Sequence, residues 1–82
     1  MKQKEVLFLM LEYEYALNYV LWNRFDDLFT IMLRTQDHFL QKKIENLLYA
    51  HYYPHLSYHT EDAKDALLQY LEHAMMTCHV NV

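Results

Sequence analysis

Not one of the 82 residues is glycine, and only one, Pro54, is proline. Tight β-hairpins need positive φ at the turn, which Gly or Asn-Gly supplies most readily. A chain without them is poorly equipped for an all-β architecture. Helices joined by short polar turns become the default. The sequence therefore predicts an all-α fold, a small antiparallel bundle of three to four helices in one domain over residues 1–82.

The periodicity of apolar residues places helices over about 3–22, 24–34, 36–53 and 60–76. In the first, Val6, Leu9, Met10, Tyr13, Ala16, Leu17 and Val20 form one stripe. Asn23 marks a break, since Asn caps helices well, and Asp26 follows in a first turn where the helix dipole favours an acid. Phe25, Leu28, Phe29, Met32 and Leu33 make the apolar face of the second helix. Thr35 or Asp37 caps the third, whose core side is Leu40, Ile44, Leu47, Leu48 and His51. No Gly or Pro separates the second and third helices, so they can also be read as one long helix. Pro54 ends the third, because proline disfavours α conformation before it and lacks a backbone donor. After a loop from His55 to His59, Ser57 or Thr60 caps the last helix. Its stripe is Ala63, Ala66, Leu67, Tyr70, Leu71 and Ala74, and the pattern decays into a frayed tail after Met76.

The first helix is apolar on a second side as well. Phe8, Leu11, Tyr15, Tyr19 and Trp22 follow one another at steps of three, four, four and three residues, the spacing of a helix–helix seam. Such a helix is either central in its own bundle or covered by another chain. Tyr49, Tyr52 and Tyr53 on the third helix, with Tyr58 in the loop, add an aromatic cluster off the core side. A chain this short buries only about 60% of its unfolded surface. With 54% hydrophobic and 16% aromatic residues, it carries more ring-bearing surface than three short helices hide. Tyr and Trp are enriched at the energetic centres of protein interfaces. The sequence therefore predicts a non-enzymatic interaction module, a regulator, inhibitor or adaptor, bound to a protein partner, to itself as a homodimer, or to both.

Other functions find less support. His51, His55 and His59 stand at four-residue steps, which on one unbroken helix would share a metal face. Pro54 interrupts that helix, so a His-rich metal-binding bundle stands as an alternative, beside a structural homodimer without a separate partner, and no cofactor is expected. None of the glutamates is followed three residues later by His, as di-iron bundles require. Cys78 beside His79 lies in the predicted tail, without the positioned geometry a nucleophile needs. Phosphate-binding loops need glycine, and there is none. The net charge is −4 with scattered cations, which argues against nucleic acid as a partner. Glu61, Asp62, Asp65 and Glu72 read as a solvated outer face of the last helix. Val6 to Leu11 is too short for a signal-peptide core or a membrane span. The lone cysteine fits a reducing compartment, so a cytoplasmic location without membrane contact is expected.

Overall fold

The computed structural model describes the backbone of residues 2–53 and 59–80, and the side chains of residues 8–53 and 59–77. The fold is all-α: α1 (Lys2–Leu21), α2 (Phe25–Arg34), α3 (His38–Tyr52) and α4 (Thr60–Val80). The second and third helices are separate. α4 continues four residues past the expected stop at Met76, so the predicted fraying is corrected: the helix persists to Val80.

Each boundary has a local cause. At the end of α1, Arg24 N–H donates to the Tyr19 carbonyl at 2.7 Å and Asn23 N–H to the Val20 carbonyl at 3.2 Å. That pair of bonds is the Schellman closure, which needs a left-handed residue. Asn23 supplies it with φ of 57°. Asn23 thus stops α1 rather than capping α2, whose N-cap position is Arg24 without a side-chain cap. In a glycine-free chain Asn is the natural stand-in, because its short polar side chain tolerates this conformation best.

Asp27 closes the start of α2 through Arg24 at 2.7 Å, and the acids Asp26 and Asp27 with Arg34 in the last turn match the helix dipole. Of the two predicted caps for α3, Asp37 is the one used. Its Oδ1 accepts the N–H groups of Phe39 at 3.0 Å and Leu40 at 3.1 Å. At α4 the His59 carbonyl accepts the first N–H, from Ala63. Thr60 does not cap α4; its hydroxyl donates to the Ala50 carbonyl of α3. Ser57 and Pro54 lie outside the described residues.

The four helices form a ring. α1 packs on α2 and α4, and α3 packs on α2 and α4, while the two diagonal pairs make no close backbone approach among the described residues. Down the middle run Tyr13, Ala16 and Val20 of α1, Leu28 of α2, Leu40, Ile44, Leu47 and Leu48 of α3, and Leu67, Leu71 and Ala74 of α4. Three predicted core positions are corrected. His51 is exposed, and its place in the buried face of α3 is taken by Ala50. Phe29 and Leu33 are also exposed. At 3.6 residues per turn they sit about 100° and 140° around α2 from Leu28, too far to share its contact line.

α2 has ten residues against twenty in α1, so it spans about 15 Å of a 30 Å helix. It covers only the C-terminal half of its neighbour. α1 residues before Tyr13 and α4 residues after Tyr70 run on together, giving a body 45 × 21 × 20 Å. Among the described residues no helix is long and apolar enough to cross a membrane.

Candidate interaction surface

The second stripe of α1 faces away from the ring centre. Phe8 is 72% exposed, Trp22 65%, Tyr15 55% and Leu11 52%. Tyr19 differs, being half-buried and packed against the core. Its ring stacks on that of Tyr15 with centroids 6.2 Å apart. The short α2 runs beside this stripe and converts it into one wall of a groove of about 340 Å³. Phe8, Leu11, Tyr15 and Tyr19 form the α1 wall, and Thr30 and Ile31 the α2 wall. Arg34 lies at the end of the groove near Glu12, and Asp27 at the end near Tyr19. Trp22 continues the row past the mouth of the groove.

The second aromatic cluster is split. Tyr49 and Tyr53 form a tilted ring pair at 5.7 Å, about half-exposed. Tyr52 turns to α2 instead and donates its hydroxyl to Asp26 at 3.2 Å. Beside it His51 stacks on Phe25 with centroids 3.9 Å apart. Tyr58 lies outside the described residues, so its place in this cluster is not part of the geometry. Among the described residues no three His, Cys, Asp or Glu side chains gather as a metal site, and His55 lies outside them. Cys78 has no described side chain either.

A polar knot, invisible in the sequence, sits where α2 hands over to α3. Asp37 Oδ2 accepts the hydroxyls of Tyr13 at 2.6 Å and Tyr70 at 2.5 Å. Thr35 is buried; its hydroxyl donates to Glu12 at 3.0 Å and accepts the Asp37 N–H at 3.1 Å. One cap residue thereby ties α1, α3 and α4 together, and Thr35 adds a second tie to α1. Burial by itself would raise the Asp37 carboxyl. The two phenols and the N–H groups of Leu40 and Phe39 outweigh it, so the group titrates below its ordinary value. With both oxygens already accepting, it is built as a clamp. The only signals in the sequence were the cap position itself and two tyrosines inside otherwise aliphatic stripes.

Glu12 is shifted the other way. Burial raises its carboxyl, the Thr35 hydroxyl opposes this, and the Asp37 charge adds to the rise. The folded state then binds the proton more readily than the unfolded state does. Stability falls as pH rises from the ordinary Glu value of about 4.3 through the raised one. Glu12→Gln keeps an acceptor for Thr35 and removes that penalty. Allowing for solvent screening, we expect it to gain on the order of 0.5 kcal/mol at neutral pH. The gain should shrink below about pH 4. Urea titrations at several pH values check this, and a loss of stability at pH 7 would refute it.

The YhdB-like protein family matches residues 8–78, from the exposed Phe8 to the last turn of α4. The chain is 35% identical over 63 residues to a Bacillus subtilis (strain 168) protein named "Uncharacterized protein YhdB", an alignment spanning 77% of this chain and 79% of that one. No solved structure matches. The family match runs through all four helices and both walls of the groove, and the chain belongs to the YhdB-like protein family.

Proposed function

We propose that this protein is a non-enzymatic helical interaction module of the cytoplasm, a regulator, inhibitor or adaptor, which docks a helix of another chain along the outer face of α1. The observation that carries this is the row Phe8, Leu11, Tyr15 and Trp22, each more than half exposed and all on one helix face. A large ring buries on the order of 150–250 Å² when covered. Uncovered, the row is of the size of the largest apolar patch on an ordinary monomer, about 300–600 Å², which is often a functional surface. Its seam spacing suits a partner helix. The Tyr49–Tyr53 pair is a secondary contact surface in the same reading.

Tyr15→Ser, Tyr19→Ser and Trp22→Ser together remove three of the five anchors. At roughly 2 kcal/mol for each central ring, the complex recovered from the native host should be lost. Circular dichroism should still report a helical chain. Because Tyr19 also touches the core, the double variant Tyr15→Ser, Trp22→Ser is the cleaner version. Unfolding of the double variant would show that these rings serve the fold, and the reading would fail.

A further inference from the structure

We propose that the occupant of the α1 face is a second copy of this chain, docked antiparallel about a two-fold axis passing beside Tyr15. The inference rests on the docking reading above and names its partner.

Three observations carry it. The stripe is a palindrome: its steps of three, four, four and three residues read the same in both directions from Tyr15. An antiparallel copy in register at Tyr15 therefore sets Phe8 across from the other Trp22, and Leu11 across from the other Tyr19. A two-fold contact must be self-complementary, each patch serving both sides. In the antiparallel sense the palindrome gives every stripe residue a stripe residue to face. A parallel copy would do so too, but it would put the two α2 helices on opposite sides of the seam, and the charges decide between them.

Charge agrees with the same axis. Arg34 is exposed and makes no ion pair among the described residues. It lies at the Glu12 end of the groove, and Asp27 lies at the Tyr19 end. Rotation about an axis beside Tyr15 exchanges these two levels and keeps α2 on the same side of the seam. Each Arg34 is thereby carried toward the Asp27 of the other copy. Asp27 uses Oδ2 for its local pair with Arg24, which leaves Oδ1 to face the incoming guanidinium. Size is the third observation. The seam from Phe8 to Trp22 runs about 21 Å along α1, and with α2 beside it offers a contact at the small end of the range of specific interfaces.

The test is mass by light scattering on the full chain. The single chain is 10.1 kDa, and the wild type should run at twice that. Tyr15→Glu places two carboxylates on the axis and should return the single-chain mass with unchanged helicity. Arg34→Asp should weaken the dimer roughly tenfold, and adding Asp27→Arg should restore it. With Cys78 replaced by Ser, Tyr15→Cys should cross-link to itself. Leu11→Cys should link only when mixed with Tyr19→Cys.

A wild type that stays single up to about 1 mM overturns the proposal. So does a dimer that survives Tyr15→Glu and gives no Tyr15→Cys link, because it then uses another face. Acrylamide quenching of Trp22, the only tryptophan, separates this failure from failure of the docking reading. A single chain with a readily quenched Trp22 loses the second copy and keeps the open face. A single chain with a shielded Trp22 loses both.

Discussion

Leu28→Ala is expected to remove about 2–5 kcal/mol of stability and to detach α2 from the bundle. Leu28 is fully buried and is the one buried residue of α2 among those described. Ten residues are too few to hold a helix without tertiary packing, since isolated helices below about 12–15 residues are marginal. The rest of the apolar contact made by α2 comes from half-buried Phe25, Ile31 and Met32. At about 0.05–0.15 kcal/mol per residue, a domain of 82 residues has little to spare. The loss should therefore appear first as exchange of the amides of 25–34, ahead of global unfolding. It should also abolish docking along α1, because Thr30 and Ile31 form the opposite wall of the groove. Denaturant titration with hydrogen exchange measures both. A loss under about 1 kcal/mol with α2 still protected would show that Leu28 does not anchor it.

The second large effect is expected at Asp37. Asp37→Ala removes a helix cap, typically about 1 kcal/mol. It also removes the charged acceptor of two tyrosine hydroxyls, each such bond contributing roughly 1.5–3 kcal/mol when well shielded. The site is only partly buried, so a total of about 2–4 kcal/mol is expected, and about half of that for Asp37→Asn, which still caps. For an 82-residue chain this lowers the melting temperature by roughly 10–20 °C. The sign with pH follows from the lowered carboxyl. Its contribution is complete above the ordinary Asp value, about 3.9, and disappears as pH falls through the lower folded value. Wild type and variant should therefore converge in acid. Equal stability of the two at pH 7 would show that the clamp is not holding the helices.

The contrast between these two sites explains what the sequence disclosed. Leu28 could be read from it because it lies in an apolar pattern that repeats within a few residues. So could the four helices, the central residues of α1, α3 and α4, and the outward row on α1. The Asp37 clamp could not, because Tyr13 and Tyr70 lie 24 and 33 positions away and only the folded ring brings them to one carboxylate. Phe29, Leu33 and His51 were misplaced for a related reason. Within one helix, five apolar residues cover a wider arc than a neighbour can shield, and which edge stays outside is decided by that neighbour. Asn23 illustrates a local ambiguity. Asn suits both the start and the stop of a helix, and the two bonds to the carbonyls of Tyr19 and Val20 select the stop. The groove was legible on one wall only, since the row on α1 gave no hint that a half-length α2 would lie alongside it.

The ring closes through its first and last members, and this bears on the order of events during synthesis. Tyr13, Ala16 and Val20 of α1 share their core with Leu67, Leu71 and Ala74 of α4. Those partners leave the ribosome about fifty residues later. Until then α1 has neither its inner nor its outer stripe covered, apart from what α2 shields. The nascent chain thus spends most of its translation as a greasy helix awaiting its mate, the condition in which trapping by chaperones or by a neighbouring copy is most effective.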